Sequence, residues 1–443
     1  MKSRGKYGVL AALAAVSLLA TGCLGGSSGS KASSTGTAGA NKNTSKNVTI
    51  LTGLDQPVID AMKAALQPFL DQSGIKVTWT RTTDFNNQIQ VKVKANQLPD
   101  IALFPQPGIL VSLAKQGKLA PMDSFLDIPT IKSQVVSGLL DTATVNGKVY
   151  GIPPSINVKS LVFYPKKAFE AAGYTVPTTL DELTALTNKI KASGTTPWCM
   201  GIESGTATGW PATDWMEDLV MRYGGLDTYN QWITHAVKFD SPVIKQAADY
   251  YQSIFAGQGV VNGGQKAIAG NNFGTAGNPM FAAKPGCFLF KQGSFITGKG
   301  FFPDKILADI DNQVGVFYFP GKTASDKPVE GGGDVAALFS GNNDSAKQVL
   351  KQMFTPTYCA DCAKSSSYIS PFKSYSLSNY ANKITAQMAS IAYQATGFGF
   401  DASDQMPAVV GSGSFWKQMT AWINGSENEE TALKNIDSSW PSS

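Results

Sequence analysis

The apolar positions of this chain follow two regimes. Residues 7–20 are almost unbroken in apolar character, whereas 25–47 hold no aromatic residue and no apolar period. From Val48 onward, short β-type runs alternate with helical spacings. Residues 48–51 read as a strand, and 55–70 place Val58, Ile59, Met62, Ala65, Leu66 and Phe69 on one helical stripe. A strand at 75–79, a weaker helix at 85–95, a strand closing the stretch 98–104 and a helix at 111–115 follow. The pattern then repeats, with strands at 160–164, 197–202, 286–289 and 314–319. Helices are expected at 165–172, 179–192, 214–222 and 242–255. From Asp344 the chain reads as mostly helical, ending in an amphipathic segment at 415–423. This alternation predicts an α/β fold with a largely parallel sheet. Residues 48–443 exceed what one core usually serves, so two lobes are expected. No repeat of solenoid period is present.

The amino-terminal regime is an export signal. Lys2, Arg4 and Lys6 precede the apolar run, which is too short to span a bilayer, and Ala20-Thr21-Gly22 leads into Cys23. The layout resembles the bacterial lipobox, which implies lipidation of Cys23 and removal of residues 1–22. Residues 23–47 are then a Gly/Ser/Thr/Ala/Asn/Lys tether that cannot bury enough surface to order itself. The signal and tether also account for the charge. Lys2, Arg4, Lys6, Lys31, Lys42 and Lys46 are unopposed, and removing six positive charges from the formal +5 leaves −1 for residues 48–443. That is no footprint for nucleic acid, and with charged residues at 16% it suits a neutral polar partner.

Four cysteines follow Cys23. In an oxidising compartment they predict two disulfides, Cys359–Cys362 as a local bridge and Cys199–Cys287 as the remaining pair. No second Cys pair or nearby His completes a zinc shell, so neither metal nor cofactor is expected. The single histidine, His235, reads as a solvated residue at a helix end and removes Ser-His and Cys-His chemistry.

Several segments carry a family likeness: Leu98-Pro-Asp-Ile101, Asn146-Gly-Lys-Val-Tyr-Gly-Ile-Pro153 with Leu161-Val-Phe-Tyr164, and Trp198-Cys199. With them stand Gly209-Trp-Pro-Ala-Thr-Asp-Trp215, Pro285-Gly-Cys287, Gly331-Gly-Gly-Asp334 and Asp401-Ala-Ser-Asp404. Together they resemble the substrate-binding lipoproteins of bacterial carbohydrate ABC importers (family 1 extracellular solute-binding proteins). The likeness is to the α-glucoside-binding branch related to maltose-binding protein. It implies a two-lobe, type II periplasmic-binding-protein fold with hinge crossovers and a ligand cleft between the lobes. The boundaries expected are 48–157 for the first lobe, 158–315 for the second, 316–362 for a return to the first, and 363–443 for a helical part mainly on the second. The implied partners are an oligosaccharide and the membrane subunits of an ABC permease, with the receptor a monomer lipid-anchored at the outer face of the membrane.

A sugar offers apolar C–H faces and a rim of hydroxyls, so aromatic rings and planar polar side chains on strand-end loops are the candidates. In the first lobe these are Asp55 and Gln56 after the first strand, Arg81 with Asp84 after the second, and Gln106 after the third. Asn157 lies at the first crossover. In the second lobe the segment 210–215 reads as a Gly/Pro-bounded loop carrying Trp210, the expected stacking platform, Asp214, and Trp215 as the alternative ring. Gln292 and Phe295 follow the strand at 286–289. Gly333 and Asp334 lie in a glycine run that lacks the Lys-Ser/Thr of a P-loop, so its amides are expected at a ligand. Asp401 and Asp404, on a loop at 397–406, are the last pair. The rival reading is a secreted glycoside hydrolase or lyase using an Asp or Glu pair.

Overall fold

The computed structural model describes residues 45–339, 343–364 (the Cys362 side chain excepted) and 367–442. The export signal, Cys23 and most of the tether lie outside the described residues. Among those described, no helix is long and apolar enough to cross a membrane.

The first lobe alternates as the apolar spacing predicts: β1 (Asn47–Thr52), α1 (Gln56–Ser73), β2 (Lys76–Arg81), α2 (Phe85–Lys94), β3 (Ile101–Phe104) and α3 (Pro107–Lys115). Ile59, Met62 and Leu66 are the buried stripe of α1. The helix stops at Gly74, whose positive φ lets its N–H bond the Leu70 carbonyl at 2.9 Å. Then come β4 (Leu119–Ala120), α4 (Ile128–Gln134), a hairpin of β5 (Thr144–Val145) and β6 (Lys148–Val149), β7 (Gly151–Ile152) and β8 (Asn157–Val158). The second lobe is built from β9 (Leu161–Pro165), α5 (Lys166–Ala171), α6 (Leu180–Ala192), α7 (Trp210–Ile233), α8 (Pro242–Phe255) and β10 (Phe290–Lys291), then α9 (Asp304–Leu307), α10 (Ile310–Gln313) and β11 (Val314–Tyr318). The chain continues through β12 (Pro328–Gly332), β13 (Val335–Phe339), α11 (Asp344–Met353), α12 (Lys383–Tyr393), β14 (Gly397–Phe400), α13 (Ala402–Gln405), α14 (Trp416–Asn424) and α15 (Glu429–Ser438).

Three sheets organise these elements. The first-lobe sheet runs β2-β1-β3-β13-β4, with β7 also on β13. β1 is parallel to β2 and β3, but β13 is antiparallel to β3, so the sheet is mixed rather than largely parallel. The reason is that β13 comes back from the second lobe through β12 and not by a helical crossover. The second-lobe sheet, β10-β9-β11, is wholly antiparallel. A third sheet, β14-β12-β8, joins the lobes. Only Lys159 and Ser160 separate β8 in this connecting sheet from β9, β12 leads straight to β13, and β14 leads to α13. The hinge is these three passages. Of the carboxyl-terminal elements, α12 lies against β11 and α10 of the second lobe, with Gln387 Nε2 donating to the Val316 carbonyl and Ile384 N–H to the Asp311 carboxylate, and Met419, Trp422 and Leu433 join the second-lobe core.

Several local expectations change. Residues 197–202 form no strand; Trp198 makes single bridges to Val261 and Leu289. The strand expected at 286–289 sits instead at β10. These two segments are nonetheless laced together, Cys199 N–H to Leu289 carbonyl at 2.8 Å, and the Cys199–Cys287 disulfide closes them. Cys359 is also disulfide-bonded. Residues 210–215, expected as a loop, are the first turns of α7. Pro211 to Arg222 are all buried, so this helix has no polar face and hence no helical period to read. It begins at Gly209, where a Cβ would lie 2.3 Å from the Trp416 carbonyl oxygen, and the φ of 115° suits glycine. The loop expected at 397–406 contains β14 and α13.

Candidate functional site

An aromatic wall stands on the second lobe beside the hinge. Trp210, the first residue of α7, packs edge-on to Phe273 at 5.0 Å and to Phe295 at 5.9 Å between ring centroids. Phe301 extends the wall, 6.0 Å from Phe273. The Trp210 ring is half-buried, its Nε1–H donates to Ser204 Oγ at 3.1 Å, and the Lys159 ammonium lies 5.3 Å from its centroid. Trp215 is different. It is 4% exposed, stacked on Tyr251 and edge-on to Trp198, and belongs to the core. Gln292 is buried behind the wall, its side-chain oxygen accepting from Gly293 N–H at 2.8 Å.

The first lobe contributes a polar rim. Asp55 is paired with Arg81 at 2.7 Å, and Arg81 Nε donates to the Leu54 carbonyl, bridging the ends of β1 and β2. Gln56 donates to Asp60 and faces along its own helix. Asp84 accepts two bonds from Asn87. Asp334 is half-buried between β12 and β13, and burial, with the Asp55 charge nearby, pushes its carboxyl up to about 7. The glycines before it are used inside the protein. A Cβ on Gly331 would lie 2.3 Å from the Phe398 ring, and one on Gly333 would lie 2.6 Å from the Ser155 carbonyl oxygen. Asn157 pairs with Gly332 in the connecting sheet. Gln106, at the start of α3, bonds the Asp404 carboxyl on α13, which joins the first lobe to the segment leaving the hinge. Gly108 lets α3 approach that segment, its missing Cβ leaving room for the carbonyls of Asp404, Gln405 and Met406.

Asp214 and Asp401, expected at the ligand, are committed elsewhere. Both are buried and both hold the Lys159 ammonium, Asp214 at 3.0 Å and Asp401 in closer contact. Burial, against the pull of Lys159, raises the Asp214 carboxyl to about 6. Lys159 and hydrogen bonds from Ser403 and the Asp404 N–H outweigh burial at Asp401 and hold it below the usual range. Burial and the Asp401 charge push Asp404 well up. Lys159, Lys291, Phe273 and Phe301 were not singled out from sequence. A signal for the lysines is present: Lys291 follows Phe288-Leu289-Phe290, and Lys159 follows Val158 beside Ser160 and Leu161, single charges in apolar surroundings.

His235 ends α7 in a left-handed turn, pairs with Asp437 at 2.9 Å and stacks on Trp440. A surface cavity of about 550 Å³ lies there, and none of the candidate residues lines it.

Residues 54–358 match the family of bacterial extracellular solute-binding proteins. The chain belongs to that family. Over 398 residues it is 35% identical to the osmoprotective compounds-binding protein GgtB of Synechocystis sp., covering 89% of this chain and 93% of the relative. Over 389 residues it is 33% identical to the alpha-glucosides-binding periplasmic protein AglE of Rhizobium meliloti, covering 86% and 84%. Among solved structures, the bacterial solute receptor AcbH, described as preferring β-D-galactopyranose, superposes with a TM-score of 0.72 at 19% identity, over 89% of this chain and 98% of that one. The fold is therefore the two-lobe, type II one expected. The family is one of extracellular solute receptors, not enzymes. The hydrolase reading is set aside on that ground. The geometry agrees, since Asp401 is tied to an ammonium and caps the short α13 through the Asp404 N–H.

Proposed function

We propose that this receptor takes an oligosaccharide, specifically an α-glucoside, into the cleft beside the hinge and delivers it to an ABC permease while held to the membrane by a lipid on Cys23. The supporting observation is the half-buried Trp210 ring standing beside Phe273 and Phe295, next to the hinge. A ring of this kind stacks on a sugar face. Gln106, Asp404, Asp55, Arg81 and Asp334 supply planar hydrogen-bonding groups for the hydroxyl rim. The α-glucoside choice rests on the likeness to AglE. The likeness to GgtB favours a second reading, a smaller osmoprotective compound. In either case the protein acts as a monomer, with lobes divided near residues 157, 315 and 362.

Titration calorimetry of the exported protein against a panel of α- and β-linked di- and trisaccharides and small polyol osmolytes tests this. Selective binding of α-linked glucosides is expected. Preference for β-linked sugars would overturn the assignment, and preference for a polyol osmolyte would move it to the second reading. For the anchor, Cys23→Ser is expected to release the protein from the membrane fraction, and full retention would contradict lipidation.

A further inference from the structure

Among the described residues, every buried Asp, Glu, Lys and Arg belongs to one cluster: Lys159, Asp214, Glu217, Asp218, Arg222, Lys291, Glu330 and Asp401. It draws on all three hinge passages. Lys159 lies between β8 and β9, Glu330 on β12, and Asp401 between β14 and α13. α7 and β10 close it from the second lobe. Five carboxyl groups thus face three cations in the interior. If all were ionised, two negative charges would be unmatched, and an unmatched buried carboxylate is far costlier than a protonated one.

The cations are already committed. Lys159 holds Asp214 and Asp401. Arg222 binds Asp218 and the carbonyls of Asp218, Phe319 and Pro320. Lys291 sits 2.8 Å from Asp218 and donates to the Asp214 carbonyl at 3.2 Å. Glu330 is left with a 3.7 Å approach from Lys291, and neither of its carboxyl oxygens has a hydrogen-bond partner. Oxygens of Asp214, Glu217, Glu330 and Asp401 converge to within 4.8 Å, a spacing that would suit a metal ion. The Lys159 ammonium already lies between two of them, so the surplus charge is better balanced by protons.

We propose that the hinge of this receptor stores a proton: Glu330 is a neutral carboxylic acid in the folded protein at neutral pH, so the hinge weakens as pH rises. The groups facing Glu330 agree. α7 presents Asp214, Glu217, Asp218 and Tyr229, with Arg222 turned to Asp218, the first passage presents Lys159, β10 presents Lys291, and the third presents Asp401 with Asp404 beyond it. Burial first, then the Asp214 charge, pushes Glu330 well above the carboxylate range. Glu217 is also pushed up by burial, although the Ala402 and Ser403 amides donate to it. The inference is independent of which ligand the cleft takes.

A proton bound by the folded state and not the unfolded one raises the unfolding constant up to tenfold per pH unit. Urea unfolding of the exported receptor between pH 5.5 and 8.5 reads this directly. In Glu330→Gln, which keeps the shape of the neutral acid, the slope of the logarithm of the unfolding constant against pH is expected to be smaller than in wild type by about one. Equal slopes would overturn the proposal. If the variant does not fold, infrared spectra of wild type at pH 8 decide it. A protonated-carboxyl stretch that shifts with ¹³C-glutamate labelling and vanishes on unfolding is expected, and its absence sinks the idea.

Discussion

The ammonium of Lys159 lies 3.0 Å from Oδ1 of Asp214 and also contacts Asp401, so a single residue of the first crossover ties α7 to the end of β14. The same ammonium sits over the ring of Trp210. Hinge and aromatic wall are therefore joined by one side chain.

Removing that link should be expensive. Lys159→Met leaves two buried carboxylates without their counter-charge, and breaking a buried pair this way costs about 3–5 kcal/mol. Adding Asp401→Asn to it should recover a measurable part of the loss, because one orphaned charge is then gone. Urea denaturation of both variants checks this. A double variant no better than the single one would show that Lys159 acts through packing rather than charge.

The disulfide makes a second case. Cys199–Cys287 closes a separation of 88 residues and laces together two segments that form no regular sheet. Cys199→Ala with Cys287→Ala should cost roughly 2–5 kcal/mol. Equilibrium unfolding measures the cost, and a loss below about 0.5 kcal/mol, the size of an ordinary surface substitution, would mean that the backbone bonds alone hold the segments.

The helices α1 and α2 of the first lobe were legible because each buries one stripe, Ile59, Met62 and Leu66 in α1 and Phe85 and Ile89 in α2. The start of α7 was not, because Pro211 through Arg222 are buried all round and their charges face one another instead of water. β12 and β14 were hidden by their composition. Val329-Glu-Gly-Gly332 and Gly397-Phe-Gly-Phe400 look like loops, and their glycines serve close packing, as Gly331 against Phe398 shows. Of the site, the residue types, Trp210 and Phe295 among them, could be anticipated, but that these two rings stand side by side could not, since they lie on separate segments of the chain. That Asp214 and Asp401 are bound to a lysine could not, since the partners lie 55 and 242 residues away from it.

Asp334 gives a pH dependence of its own. Its folded carboxyl is raised to about 7 from an ordinary 3.8, so the folded state holds a proton that the unfolded chain has lost. The contribution to stability is therefore undiminished below pH 4, falls as pH rises towards 7, and levels off above it. Asp334→Asn removes this term. Without ligand, the variant is expected to gain on wild type steadily from pH 4 to 7, as thermal unfolding in a pH series would show. A constant offset between the two proteins across that range would contradict the raised value.

Trp210 and Trp215, five residues apart on α7, should give opposite signatures. Trp215 is 4% exposed and wedged among Trp198, Tyr251 and Phe319, so Trp215→Ala should cost about 3–5 kcal/mol of stability. The fraction that remains folded should bind ligand nearly as wild type does. Trp210 is half-buried, so Trp210→Ala loses less packing, about 1–2 kcal/mol, by removing its edge contacts with Phe273 and Phe295. If its open face is the sugar platform, the same change should weaken binding by about 2–4 kcal/mol, as the loss of an anchoring aromatic does. Trp210→Phe should restore most of the affinity, because a stacking face returns, while the Nε1–H bond to Ser204 stays lost. Calorimetric titration beside urea unfolding separates the two effects. Unchanged affinity in Trp210→Ala would move the platform to Phe273 or Phe295.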